Sequence, residues 1–290
     1  MAFRGVYSAP DLVPAPCGVL SVARVMTHTA RNYDERWIRG FSYEFESNPT
    51  VNLLDETGAS AELIFDGTVA ERYQDYKPFF IEVEDFTSTF GLPGEDRMAQ
   101  VKNQLEAATQ KAVERELWDG PVATADTNGN NFLTKTSAST VVAAGAHPAD
   151  KALFHLEQAL ANSPVGAKGV IHMTRDVASI LGSRLVYVNT NEGKSGRAMT
   201  RLGTDVVIGS GYTGNGPIGT ANATASATNR WMFATGPLDI HLGKVEVIND
   251  NLAQGVDASI NDMRIKAVRP AAVYFDPSCH YTMRVAVPSI

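Results

Sequence analysis

At 290 residues, with 44% hydrophobic and 20% charged residues and a mean hydropathy of −0.13, the chain has the composition of a folded protein, with room for one large or two small domains. Its apolar runs fall short of the roughly 20 residues a membrane-spanning helix needs, and MAFRGVYSAPDLVPAPCGVL lacks the charged-then-apolar order of a secretory signal. The net charge of −7 comes without any basic cluster interleaved with aromatics, which disfavours nucleic-acid recognition.

Charge is unevenly spread. Residues 34–96 carry 15 Asp and Glu against 4 Lys and Arg, a local −11, leaving 17 acids and 21 bases elsewhere. A solvated acidic face accounts for this; so does an acidic arm that docks on the less acidic surface of a neighbouring copy. Cys17 and Cys279 read as reduced thiols of a cytoplasmic product, although a disulfide stays open.

Residues 1–33 place Pro10, Pro14 and Pro16 between short apolar pieces without a helical period. This predicts an extended arm that must lean on another surface to be ordered, as an intermolecular clamp. Residues 38–84 read as a long β-hairpin. Phe41, Tyr43 and Phe45 alternate with Ser42, Glu44 and Glu46, and Phe79, Ile81 and Val83 alternate with Phe80, Glu82 and Glu84 in the predicted returning arm. VNLLD and AELIF flank a tip at Gly58. A two-stranded ribbon is marginal alone in water, so it too needs support.

The stretch LPGEDRMAQVKNQLEAATQKAVERELWDG predicts a helix over 94–118, roughly 37 Å long at 1.5 Å per residue. Met98, Val101, Leu105, Ala108 and Ala112 recur at spacings of three and four, and Val113 and Leu117 continue that core face. The opposite face, Lys102, Glu106, Gln110 and Glu114, is expected to stay solvated. Pro93, Glu95 and Asp96 suit a first turn and Gly120 a stop.

Beyond it, DTNGNNFLTKTSAST reads as a polar loop. Residues 148–162 predict a helix with Leu153, Leu156 and Leu160 on one face. GVIHM follows as a strand, and TRDVASILG as a short helix with Thr174 as N-cap and Gly182 past its end. LVYV and DVVIG read as buried strands, residues 209–229 as a flexible low-complexity loop, and KVEVI, MRIKAV, AAVYF and YTMRVAV as four further strands. The fold class is α+β, a few helices on antiparallel sheet.

Motifs for chemistry fail one by one. NEGKSG has Val188 where a phosphate loop needs glycine, and no helix follows. The glycine-rich run 209–219 contains no lysine and precedes no helix. DTNGNN has its glycine at the fourth position, and Ser137 stands where a calcium loop needs its acid. The six histidines show no metal-ligand spacing, and no nucleophile elbow occurs. Neither a catalytic residue, a cofactor nor a metal is expected.

The order of arm, long hairpin, long helix, small α+β region and strand-rich return resembles the major capsid proteins of tailed double-stranded DNA bacteriophages, whose fold encapsulins share. The resemblance implies an N-terminal arm at 1–33, an extended loop at 34–84, and a peripheral domain with a spine helix at 85–120 and 238–276. The axial domain would be 121–237 and 277–290. LDIHLGKVEVIND and MRIKAVRPAAVYF resemble the strands that return over the spine helix, and NSPVGAKGVIHMTRDVASIL and LGTDVVIGSG the axial elements.

The implied function is self-assembly of hexamers and pentamers into an icosahedral shell around packaged DNA, without sequence-specific DNA binding and without a membrane. The implied location is the virion capsid, assembled in the host cytoplasm, with a portal and decoration proteins as partners. Because the arm begins almost at Met1, a separate scaffolding protein is expected and no large N-terminal removal. Glu44, Glu46, Leu53, Leu54, Asp55, Glu56, Glu82 and Glu84 are the expected contacts with a neighbouring subunit. Two alternatives stand beside this reading: an encapsulin-like compartment, against which the proline-interrupted arm argues, and a β-rich ligand-binding protein or enzyme with an anion-binding glycine loop.

Overall fold

The computed structural model describes residues 13–28, 34–44, 51–54, 60–65, 73–88, 94–125, 130–135, 140–163, 169–188, 196–249, 256–257 and 262–288. In chain order the first strands are β1 (Arg24–Thr27), β2 (Phe41–Glu44), β3 (Val51–Leu54), β4 (Ser60–Phe65), β5 (Tyr73–Tyr76) and β6 (Phe79–Ser88). The long helix α1 (Gly94–Asp119) and the short α2 (Pro121–Ala125) come next, then β7 (Thr140–His147), α3 (Ala149–Ala161), β8 (Val170–Thr174) and α4 (Arg175–Leu181). The remainder is strand: β9 (Leu185–Val188), β10 (Arg197–Thr200), β11 (Asp205–Gly209), β12 (Asn229–Thr235), β13 (Leu238–Leu242), β14 (Glu246–Asn249), β15 (Val256–Asp257), β16 (Asp262–Phe275) and β17 (His280–Ala286).

Helix α1 lies on a six-stranded sheet whose backbone is β1-β13-β16-β14, with β15 and β6 also paired to β16. The helical period puts Val101, Leu105, Val113 and Leu117 on the sheet side, where each is fully buried against Ile81, Ile240, Ile265 and Ala267. Full burial of such side chains stabilises the fold by about 1.5–3 kcal/mol each. Met98 and Ala112 pack at the margin of this core, and Ala108 is half-buried. Gly120 ends the helix at φ +56°, the left-handed turn that glycine adopts without steric cost.

The second sheet has seven strands in the order β7-β17-β12-β8-β11-β10-β9, with α3 and α4 packed on it. Leu153, Leu156 and Leu160 of α3 meet Ile171, Met173 and Met283 in a separate core. Three pairings are parallel: β1 with β13, β8 with β11, and β7 with β17. The sheets are therefore mixed rather than antiparallel as expected.

Strand β6 alternates as the sequence predicts, with Phe79 and Ile81 buried and Phe80 and Glu82 exposed, but it is not the returning arm of the hairpin. It pairs with β16 over ten positions. The partner of β2 is β5, in the register Phe41↔Tyr76 to Glu44↔Tyr73, and Pro78 separates β5 from β6. Period-two alternation identifies a strand, not the strand it pairs with.

MRIKAV and AAVYF, expected as two strands, form the single 14-residue β16 through Pro270. On one side β14 pairs with 265–268 and β13 with 271–275, leaving a gap at 269–270. The Pro270 carbonyl accepts the Gly243 N–H across that gap at 2.8 Å. A residue's N and O point to the same side of a strand, so the missing N–H of the proline falls where no ladder partner requires it.

LVYV, expected to be buried, is the edge strand β9, with Tyr187 56% exposed. An apolar run of four does not distinguish a central strand from an edge. The supposed polar loop after α1 holds buried Phe132 and Leu133 and leads into β7. The supposedly flexible loop after β11 is packed: Gly214, Gly216 and Ile218 bond to Trp231, Ala223 and Thr134 respectively.

Candidate assembly surface

The polar side of α1 does not face solvent throughout. Lys102 and Glu106 are exposed, but Gln110 and Glu114 are only 2% and 0% exposed. Gln110 donates to the Ala15 carbonyl at 2.9 Å. Glu114 accepts the N–H of Val19 (3.2 Å), the N–H of Gly211 (2.8 Å) and the Ser210 hydroxyl (3.1 Å). Burial pushes the Glu114 carboxyl above its usual range, and these hydrogen bonds oppose that only in part. Further along, Glu116 accepts the N–H groups of Val122 and Ala123 at the start of α2, and Asp119 accepts the Thr213 hydroxyl. The long helix is thus a polar binding rail for three other segments.

One of these is the N-terminal segment. Val19 is fully buried in the α1 core, and Cys17, at φ +61°, bonds through its N–H to Gly196 and through its carbonyl to Ile208. Strand β1 then adds to the sheet beside β13. The expected intermolecular clamp is corrected for residues 15–28: they are held by their own chain.

The hairpin base is held likewise. Phe41, Tyr43 and Tyr76 surround Tyr274 of β16, with ring centroids 5.5, 4.1 and 5.2 Å away. The Tyr76 ring is buried, and its hydroxyl, 3.4 Å from the Phe275 carbonyl, donates to it. The Tyr43 hydroxyl donates to Asp239 at 3.0 Å, and Asp239 is also bound by Arg24 of β1, at 2.6 and 2.5 Å. Burial and Asp239 together push the Tyr43 phenol up to about 12. Strands β3 and β4, which lie between β2 and β5 in the chain, pair with each other as a separate two-stranded sheet.

Of the residues expected to meet a neighbour, Glu44 ends β2, and Leu53 and Leu54 lie in β3. Glu46, Asp55 and Glu56 lie outside the described residues. Glu82 and Glu84 belong to the sheet rather than the hairpin, and Lys266 of the same chain stands 3.2 and 3.8 Å from them. The reading from sequence missed an apolar group elsewhere. Phe154 and Leu202, 61% and 81% exposed, line a cleft of about 390 Å³ between α3 and the β10–β11 turn, rimmed by Lys151, Arg184 and Arg201. Isolated exposed apolar residues carry no signal in a sequence; their clustering does.

No group of three metal-ligating side chains occurs among the described residues, and no helix among them is long and apolar enough to cross a membrane. Both cysteines are free and buried, and burial pushes both thiols up, away from the reactive thiolate. His172 is fully buried between the Tyr212 and Thr235 hydroxyls, and burial holds it neutral down to about 3.

No protein-family model matches the chain, and no curated protein matches it by sequence. Solved structures match it from end to end. The capsid of an empty GTA particle, computed with C5 symmetry, aligns over 99% of this chain and 95% of its own, with a TM-score of 0.58 at 13% identity. The fold is that of tailed-phage major capsid proteins. A chain of Gordonia phage Cozz matches over 99% and 92%, with a TM-score of 0.51 at 12% identity. The holo-SrpI encapsulin complex from Synechococcus elongatus PCC 7942 matches over 99% and 97%, with a TM-score of 0.54 at 11% identity.

Proposed function

We propose that the protein is a major capsid protein that self-assembles, as hexamers and pentamers, into an icosahedral shell enclosing double-stranded DNA. The observation that carries this reading is the match of the whole chain, rather than one module of it, to the capsid of the GTA particle. The two-stranded pairings β2–β5 and β3–β4 support it, because a two-stranded ribbon gains stability only on another surface. Heterologous contacts between identical wedges close into rings.

In this reading residues 1–33 are the arm, and 34–78 the extended loop, its limit moved back from 84 because β6 joins the sheet. Residues from β6 to Gly120 and 238–276 form the peripheral domain, and 121–237 and 277–290 the axial domain. The acidic residues of the ribbon, Glu44, Glu46, Asp55 and Glu56, with Leu53 and Leu54, meet the neighbouring copy. The core face of the spine helix is Met98, Val101, Leu105, Ala108, Ala112 and Leu117. The role is structural rather than catalytic. A net charge of −7 keeps the wall from adhering to DNA. The shell would be assembled in a host cytoplasm and completed by a portal, with scaffolding and decoration proteins as further partners.

The match to the SrpI encapsulin favours a second reading, a compartment around protein cargo. Electron microscopy and sedimentation of the expressed protein test both: shells or free capsomers support self-assembly, and a stable 31.2 kDa monomer refutes it. Nuclease-protected DNA in particles from infected or induced cells supports the capsid; a protein cargo in place of DNA supports the compartment.

A further inference from the structure

The cleft between α3 and the β10–β11 turn has rigid walls. The Thr200 N–H donates to the Thr204 carbonyl at 2.8 Å and the Gly203 N–H to the Thr200 carbonyl at 3.1 Å, with Gly203 at φ +92°. The Thr204 hydroxyl ties the turn to Glu157 of α3 at 2.7 Å, and the Arg201 Nε donates to the Ser183 carbonyl at 3.2 Å. This locked turn holds Leu202 in the same cleft as Phe154, and both rings of contact that a core would supply are missing, since both side chains are largely exposed. Apolar side chains on an ordered backbone lose little further freedom on burial, which favours a partner over solvent.

The polar rim is left with positive charge. Asp150 stands 3.9 Å from Arg184. Glu157 gives one oxygen to Thr204, and its other oxygen is shielded from solvent. Lys151 and Arg201 are exposed, and among the described residues neither is paired with a carboxylate. The cleft thus offers apolar side chains beside two uncompensated cations. Its complement is a segment that sets apolar residues among carboxylates. This chain carries one: residues 34–96 hold 15 Asp and Glu against 4 Lys and Arg, with runs such as VNLLDE, whereas the rest has 17 acids and 21 bases. Leu202 and Phe154 are exposed in the single subunit, so the occupant comes from another molecule.

We propose that this cleft receives the acid-rich stretch 34–96 of a second copy of the chain. Phe154 and Leu202 take its apolar side chains, and Lys151 and Arg201 its carboxylates. The inference rests on the self-assembly reading and supplies it with a receiving surface on the seven-stranded body. Such a contact is heterologous, with the stretch of one copy on the cleft of the next, so each subunit uses both surfaces and a ring can close. Charge fixes which segment enters, and the apolar pair adds burial that salt does not screen.

Cross-linking and assembly of the full-length protein test it. A wild-type chain that stays monomeric refutes the self-assembly reading, and this contact with it. In particles mixed from isotopically light and heavy subunits, a carbodiimide should join Lys151 to a carboxylate within 34–96 of the other copy. Lys151→Arg should give the same particles without that link. The double variant Lys151→Glu/Arg201→Glu should lower the assembled fraction roughly tenfold or more at low salt. Leu202→Ser, which leaves every charge in place, should lower it as well. Both should melt within a few degrees of wild type, because the altered side chains are exposed. If wild-type particles form but Lys151 does not link to that stretch of another copy, or the folded variants assemble as wild type does, the contact is overturned while the self-assembly reading stands.

Discussion

The Glu114 carboxylate in the second half of α1 accepts the Gly211 N–H at 2.8 Å while also accepting the Val19 N–H at 3.2 Å. One buried side chain thereby joins the N-terminal segment, the long helix and the β11–β12 connection. Glu114→Ala strands two buried N–H groups at about 1–3 kcal/mol each, and should lower the melting temperature by roughly 5–10 °C for a chain of this size. The pH dependence separates charge from contact. Burial raises the folded carboxyl above its unfolded value, so its contribution is present at low pH and is lost as pH rises through the folded value. Glu114→Gln should flatten that alkaline-side decline in a melting series, whereas Glu114→Ala should lower stability at every pH.

Gly18 and Gly211 let two backbones reach this carboxylate, and alanine at either should be costly in a predictable order. A Cβ on Gly211 would collide with the Lys111 carbonyl, which belongs to the helix backbone and cannot move aside. A Cβ on Gly18 would meet side-chain ends instead, the Gln110 amide and the Glu114 carboxylate, which can shift only by loosening their bonds to Ala15 and Val19. Gly211→Ala should therefore cost about 3 kcal/mol and Gly18→Ala about 1 kcal/mol, on the scale of overpacked sites, as read from chemical denaturation midpoints.

The contrast between Glu106 and Glu114 shows where the sequence stops being informative. Both sit on the helix face that the apolar stripe leaves free, and both suit a solvated helix surface equally well. One is exposed; the other is sealed by segments 95 and 97 positions away in the chain. Local periodicity reports which side of a helix meets the sheet, and it found Val101, Leu105 and Leu117. It cannot report a second, polar cover supplied by distant backbone. The same limit misassigned β6, whose alternation is plain but whose partner β16 lies 174 or more positions on. The long helix was legible because its apolar stripe is a purely local pattern.

Burial of His172 should make the protein acid-labile. The folded state keeps this ring neutral down to about 3, through burial first and the nearby His280 second, whereas the unfolded chain binds a proton near the ordinary histidine value of about 6.5. Between those values the unfolded state holds more protons, so stability falls as pH falls, by up to about 4–5 kcal/mol at roughly 1.4 kcal/mol per pH unit. His172→Gln should be less stable than wild type at pH 7 by about 1–3 kcal/mol, from the disturbed bonds to Tyr212 and Thr235. It should also lose much of the acid slope in melts from pH 7 to pH 4; an unchanged slope would assign acid lability to other groups.

Shell formation and subunit stability should separate by mutation. Leu105 is fully buried between α1 and the sheet, and Leu105→Ala should cost about 2–5 kcal/mol, the range of buried leucine truncations. Its defect should be thermal, with assembly retained at low temperature for whatever fraction stays folded. Deleting residues 50–64 removes β3 and most of β4. It leaves intact the aromatic contacts of Phe41, Tyr43 and Tyr76 on Tyr274, which anchor the ribbon base. That variant should keep a melting temperature within a few degrees of wild type, because an isolated ribbon contributes little stability by itself. Yet it should sediment as subunits or small oligomers rather than closed particles. Closed shells from the deleted chain would show that the ribbon tip is dispensable, and the contact role proposed for Leu53, Leu54, Asp55 and Glu56 would fall with it.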